Sequence, residues 1–349
     1  MREKESIRNL KGYEACQIPF EIKLDANEGK NILLSNLYEE GLILDNETPI
    51  NLYPDNDAIL LKKELSKYLN VSINQILVGN GSSEMIELII KTFVDKDETI
   101  LSFTPSFSMY KIYAQIYGAN FVEVNSNDDF SLDMKKMIKK AKEIFPKVIF
   151  ICNPNNPTGY LIDLKDIKNL LEETDALVVV DEAYIEFAEK SILSEIERYE
   201  NLIVLRTLSK AFGLAGIRVG SMISNEELID IMKKVVSPYH LNSISQYLAV
   251  KALQNKENLK PYIEEIKLQR IFLYKSLQKL GMKVVPSYAN FLFFQSDIKD
   301  LYNKLVDKGV LIRKFSDKLS KYFRVSIGDP SENKKFIGCL KEIVKNENG

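Results

Sequence analysis

Residues 201–223 read NLIVLRTLSKAFGLAGIRVGSMI. Two apolar runs, NLIVLRT (201–207) and RVGSMI (218–223), bracket a short loop that carries Lys210. Near-continuous apolar runs of this length are expected of strands whose sheet is covered on both faces. Working outward, five more such runs precede them: QILVG (75–79), ETILSF (98–103), NFVEV (120–124), KVIFICN (147–153) and ALVVVD (176–181). Amphipathic helical patterns lie at 84–93, 107–117, 163–172 and 226–235. Alternating strand and helix predict an α/β chain with a mostly parallel seven-stranded sheet and helices on both faces. After about residue 245 a long helical pattern (259–280) precedes short strands and a final helix, which predicts a smaller α+β C-terminal domain. The expected division is an arm over 1–28, a large domain over 29–245 and a small domain over 246–349.

Composition excludes several kinds of chemistry. The chain has 349 residues, 45% apolar and 28% charged, with a formal net charge of −2. This is the balance of an ordinary globular protein too long for one core. No basic block marks a nucleic-acid partner. The start, MREKES, lacks an apolar signal core, and no apolar run is long enough to span a bilayer, so a cytoplasmic location is expected. Cys16, Cys152 and Cys339 are scattered and odd in number, which argues against a disulfide framework or a thiolate metal site. His240 is the single histidine, in SPYHLNS, so no metal centre rich in histidine can be built within one chain. Its ordinary reading is a packed or solvent-facing side chain. Chemistry must rest on Lys, Asp, Tyr, Arg and a cofactor.

In open α/β sheets, ligands bind beyond the carboxyl ends of the strands. Asn153 in NPNNPTG follows one predicted strand. Asp181 closes another and is followed by Glu182, Ala183 and Tyr184. Thr207 closes a third, before Ser209 and Lys210. VGNGSSE places Gly81, Ser82 and Ser83 at a strand-to-helix turn. Taken singly, each has an ordinary reading as a surface lysine, a turn residue or a helix cap. Jointly they suit one ligand, pyridoxal phosphate (PLP). It needs a lysine amine for a Schiff base, here Lys210, and a carboxylate at the pyridine nitrogen, here Asp181. Donors at the ring 3′-oxygen would be Asn153 and Tyr184. A phosphate cup would come from Ser82, Ser83, Ser209 and Arg218. An aromatic ring stacked on the pyridine would be Phe107.

On these motifs the chain resembles the fold-type I PLP-dependent aminotransferases, specifically the histidinol-phosphate aminotransferase family. The resemblance rests on RNLKGYEA, KLDANE, NLYPD, VGNGSSEMIELI, PSFSMY, CNPNNPTG, VVVDEAYIEF, LRTLSKAFGLAGIRVG, SPY, ANF, LIRKF and FRVSIG, in family order over nearly the whole chain. It implies catalytic roles for Lys210, Asp181 and Tyr184. It implies phosphate contacts from Ser209, Arg218 and the turn of Gly81, Ser82 and Ser83, with Thr207 also at the coenzyme. It implies that Tyr53 reaches the coenzyme of a neighbouring subunit, and hence a homodimer with shared sites. Tyr13, Asn27, Asn153, Arg313 and Arg324 match substrate-side positions, although Arg313 also reads as a surface salt bridge. Glutamate would be the amino donor and imidazole-acetol phosphate the acceptor, in a ping-pong exchange that belongs to histidine biosynthesis. The chain departs from the family pattern at LDANEGK, at Phe107 where tyrosine is usual, and at GSSE where GSDE is common. Threonine-phosphate decarboxylase and an aromatic or broad-range aminotransferase share the same site design. A PLP-binding protein without turnover is the alternative of another class.

Overall fold

The structure is a computed structural model that describes residues 19–30 and 52–347. Seven strands form the central sheet: β2 (Ile76–Asn80), β3 (Thr99–Thr104), β4 (Asn120–Asn125), β5 (Val148–Cys152), β6 (Leu177–Asp181), β7 (Leu202–Thr207) and β8 (Val219–Ile223). Their order is β2-β8-β7-β6-β5-β3-β4. Pairing is parallel from β7 through β6, β5 and β3 to β4, while β8 runs antiparallel to both β2 and β7. Each strand coincides with one of the seven apolar runs to within a residue or two.

The helices among them are α1 (Ile59–Leu69), α2 (Gly81–Phe93), α3 (Met109–Tyr117), α4 (Met134–Ile144), α5 (Leu164–Glu172), α6 (Glu226–Lys233) and α7 (Ser243–Gln254). Alternate strand residues point to opposite faces, as the pleat requires. Ile149, Ile151, Val178, Val180 and Val204 join α1, α4, α5 and α7 in one apolar cluster. Val148, Phe150, Val179, Ile203 and Leu205 join α2, α3 and α6 in another. Helix starts follow local polar chemistry. Asp133 and Asp163 cap α4 and α5 by accepting from backbone N–H groups in the first turn. Helix α2 begins three residues before its expected start, because the Glu84 carboxylate reaches back to the Asn80 N–H at 2.6 Å and ties down its first turn.

Beyond α7 come α8 (Leu259–Lys279), β9 (Lys283–Val285), β10 (Phe291–Gln295), α9 (Leu301–Val306), β11 (Val310–Leu311), β12 (Arg313–Lys314), β13 (Tyr322–Ser326) and α10 (Pro330–Glu347). Four of these strands make an antiparallel sheet in the order β12-β13-β10-β9. The amino-terminal strand β1 (Ile22–Lys23) pairs in parallel with β11, so Ile22 lies opposite Val310. Residues after β1 are stitched to β13 and its surroundings. The Ser326 N–H donates to Leu24 O, Arg324 to Asp25 O, and the Asn27 N–H to Ser326 Oγ. No helix of the described residues is long and apolar enough to cross a membrane.

Candidate active site

The topology brings the strand-end residues to one rim. Because β8 runs antiparallel, its first residue lies beside the last residues of β2 and β7: Val219 pairs with Asn80, and Gly220 with both Gly79 and Thr207. The loop 207–219 therefore presents Ser209, Lys210 and Arg218 to the start of α2. Two adjoining cavities of about 470 Å³ and 310 Å³ open there, sharing Ala26, Phe107, Asn156, Tyr184 and Lys210 in their walls. The larger adds Ser82, Ser83, Asp181, Thr207, Ser209 and Arg218. The smaller adds Asn27, Arg313 and Arg324.

Lys210 stands at the junction. Its Nζ donates to Ala26 O at 3.0 Å and lies 5.8 Å from the centre of the Tyr184 ring. Burial first, then the Arg324 and Arg218 guanidiniums, bring its amine from the ordinary lysine range down to about 8 against the pull of Glu28. Such an amine is a better nucleophile at neutral pH than a surface lysine. Asp181 is buried at the end of β6. One of its carboxylate oxygens accepts from Tyr110 Oη at 2.8 Å, the other from the Ala183 N–H at 3.2 Å. Burial raises its pKa, and these two hydrogen bonds and Lys210 act in the opposite sense.

A compact cup forms at the start of α2. Arg218 has a left-handed backbone, φ 56, and its guanidinium lies beside Gly81 at the helix start. A Cβ on Gly81 would stand 2.4 Å from Arg218 Nη2, and a Cβ on Gly220 would stand 2.3 Å from the backbone of Gly81 and Ser82. The two glycines thus leave the space in which the guanidinium meets the helix N-terminus. Thr207 Oγ1 accepts from the Ser209 N–H at 3.1 Å and holds Ser209 on the cup wall. Backbone N–H groups, hydroxyls and one guanidinium are a donor set made for a phosphate. With a lysine and a buried carboxylate further along the same cavity, the residues present fit pyridoxal phosphate.

In the smaller cavity Tyr184 Oη accepts from Asn27 Nδ2 at 3.2 Å and Asn156 Nδ2 at 3.3 Å. Its own proton remains to be donated. Burial holds that phenol well above the usual range, so it stays protonated. Arg324 is 8% exposed and donates to Asn156 Oδ1 at 2.6 Å and to Asp25 O at 2.7 Å. Phe107 lines both cavities and meets the Tyr110 ring edge-on.

One expectation is corrected. The Asn153 side chain accepts from the Ile162 N–H at 2.8 Å and donates to Ile162 O, closing its own loop. It is fully buried and lines neither cavity. The asparagine that faces the crevice is Asn156, three residues on in the same NPNNPTG motif. Tyr53 also lines neither cavity. It is 80% exposed and stacks on Tyr239 with ring centres 4.5 Å apart. Tyr13 lies outside the described residues. His240 has its ordinary role, with its ring nitrogens against Val78 O and Ser237 O. Tyr110 and Asn156 were not singled out in the sequence. The helical spacing of Tyr110 reads as core, and the two other asparagines of the NPNNPTG motif, Asn153 and Asn155, hide Asn156.

A lysine, a buried carboxylate and a phosphate cup at the strand ends of a doubly wound sheet define a coenzyme-dependent transferase site. Comparison with known proteins agrees. The family "Aminotransferase class I and II" matches residues 21–340, and the chain belongs to that family. Among curated relatives, the histidinol-phosphate aminotransferase of Caldanaerobacter subterraneus subsp. tengcongensis is 42% identical over 98% of both chains. A solved histidinol-phosphate aminotransferase from Clostridium acetobutylicum is 28% identical with a TM-score of 0.84, covering 93% of this chain and 99% of that one. The Sinorhizobium meliloti enzyme, solved in complex with pyridoxal-5′-phosphate, shares the fold with a TM-score of 0.86 at 22% identity, covering 94% and 92%.

Proposed function

We propose that this aminotransferase uses pyridoxal phosphate to exchange an amino group between glutamate and the ketone related to histidinol phosphate. Lys210 carries the reading, because it joins the cavity with the phosphate cup to the cavity with the arginines. When bound, the coenzyme supplies an aldehyde carbon for amino groups and a ring that draws electrons from the neighbouring carbon. Everything else falls to the chain. Ser82, Ser83, Ser209 and Arg218, with the backbone N–H groups at the start of α2, hold the phosphate. Asp181 holds a proton on the pyridine nitrogen, and Phe107 covers a ring face. Tyr184, oriented by Asn156 and Asn27, donates its hydroxyl proton at the ring oxygen. Lys210, part of it uncharged near neutral pH, takes the proton from the substrate Cα and would return it two atoms away, at the carbon on the far side of the amino nitrogen. Arg324 binds a carboxylate or phosphate through its planar fork, and Arg313 on the same wall adds a second cation for an anionic substrate. Phe121 and Phe315 line that chamber and suit a flat ring.

The assembly is a homodimer in this reading, with Tyr53 reaching the coenzyme phosphate of the other subunit. Leu52, Tyr53, Leu60 and Tyr239 form exposed apolar surface that supports it. In the same reading the chain has an arm over 1–28, a large domain over 29–245 and a small domain over 246–349. The test is half-transamination followed by absorbance, with glutamate, histidinol phosphate, phenylalanine and phosphothreonine in parallel. Conversion by glutamate and histidinol phosphate alone is expected, and Lys210→Ala should abolish both the coenzyme band and turnover. Carbon dioxide release from phosphothreonine, or preference for phenylalanine, would replace the substrate assignment. Normal turnover by Lys210→Ala would end the mechanism.

A further inference from the structure

Tyr110 is fully buried in α3, and nothing in the mechanism above uses it. Its ring stacks on Phe150 of β5, with centres 4.6 Å apart and planes 8° apart, which fixes the ring in place. The same ring meets Phe107 edge-on at 5.6 Å. Its hydroxyl donates to Asp181 Oδ2 at 2.8 Å. One fully buried side chain thus touches both groups that address the coenzyme ring, the aromatic cover and the carboxylate. We infer that Tyr110 is a positioning residue that aims the Asp181 carboxylate at the pyridine nitrogen and sets Phe107 against the ring. The inference rests on the coenzyme reading above.

The electrostatics run in the same direction. A carboxylate at the end of a buried strand is pushed toward its neutral form by desolvation, and a neutral Asp181 would hold no proton on a ring nitrogen. A donated hydrogen bond favours the charged carboxylate. Among the described residues, the groups that face Asp181 are Tyr110 from α3, Cys152 from the end of β5, Tyr184 after β6, Lys210 from the loop after β7, and the Ala183 N–H. Cys152 is a weak donor that burial keeps protonated, and it points to Pro154 O. Tyr110 is therefore the strongest neutral donor to the carboxylate, and its own phenol is held protonated by burial and by Asp181.

The test compares Tyr110→Phe with wild type and Asp181→Asn with the double variant. Phenylalanine keeps the stacked ring and removes the one hydroxyl, so folding can be checked by thermal melting alongside. The readouts are the dissociation constant of pyridoxal phosphate from the apoenzyme, the pH at which the bound coenzyme's absorbance titrates, and kcat against KM. Tyr110→Phe should weaken coenzyme binding roughly tenfold or more, the scale of a hydrogen bond to a buried charge. It should also move the absorbance titration and lower kcat with KM nearly unchanged. In the Asp181→Asn background the same substitution should change coenzyme binding by less than about twofold, because coupled groups are not additive. Equal losses in both backgrounds, or wild-type affinity and spectrum in Tyr110→Phe, overturn the inference. Failure of the wild-type chain to take up pyridoxal phosphate overturns the coenzyme reading instead, so the two failures are distinct.

Discussion

Replacing Gly220 by alanine tests the phosphate cup without touching any side chain in it. In β8 this residue lies opposite Gly79 and Thr207. An alanine Cβ there would stand 2.3 Å from Gly81 C and Ser82 N and 2.8 Å from Gly81 Cα. That is about 1 Å short of ordinary contact, and the atoms met are backbone at the head of α2, which no rotamer change can move aside. Overpacking of this kind costs about 1–3 kcal/mol of stability. The displacement is also handed to the N–H groups and to Ser82. A misplacement of about 1 Å at an anchoring group is worth up to ~100-fold, so coenzyme affinity should fall by about 10- to 100-fold. Gly216→Ala is the matched control. It sits in the loop that leads into β8, nothing lies within 4 Å of its Cβ, and its φ is outside the left-handed region. Its effect on stability should stay within ~0.5 kcal/mol. Coenzyme titration of the apoenzyme, followed by fluorescence, and denaturant melts read both variants. Wild-type affinity and midpoint in Gly220→Ala would show that the cup geometry argued here is wrong.

Other consequences follow from the charges. Cyanate labelling of the Lys210 amine in the coenzyme-free protein, followed by mass spectrometry against pH, should rise with a midpoint near 8, whereas surface lysines rise near 10.4; a midpoint near 10 would remove the basis for its reactivity. Arg324→Lys, which keeps charge and loses the planar fork, should raise KM for donor and acceptor alike by roughly tenfold or more, with kcat changed less. Arg206 sits between the buried carboxylates of Glu182 and Glu186, at 3.2 Å and 2.7 Å, and Arg206→Met should cost about 3–5 kcal/mol by denaturant unfolding. Burial holds both carboxylates above the usual range, so their folded forms favour protonation and the stability they lend is lost as pH rises through the raised pKa values. Without Arg206 the deficit should therefore be largest at neutral pH and shrink toward mildly acidic pH.

The central sheet was legible because apolar runs and strand ends are local properties. KVIFICN and ALVVVD could be little else than covered strands, and Asp181 and Lys210 follow from where such strands stop. What stayed hidden was decided by distant contacts. Ile22 and Lys23 form a strand only because Val310 and Leu311 arrive beside them, and two residues carry no periodicity. Asn153 and Asn156 are chemically the same residue in one turn-forming motif. Their roles part only when the Asn153 amide finds the Ile162 backbone and Asn156 is left to face Tyr184 and Arg324. Tyr110 keeps helical register with Ala114 and so reads as packing, because the carboxylate that receives its hydroxyl lies 71 residues away.

The pairing of β1 with β11 also bears on how the molecule comes into being. During synthesis Ile22 leaves the ribosome early and has no partner strand until Val310 has been made. Ala26, whose carbonyl receives the Lys210 amine, belongs to that waiting segment. Long-range closures of this kind come late because the intervening chain must first be ordered. The rim that receives the coenzyme is encoded by residue 223, so it can take shape while its roof is still missing. The crevice stays open from above until the last hundred residues are in place.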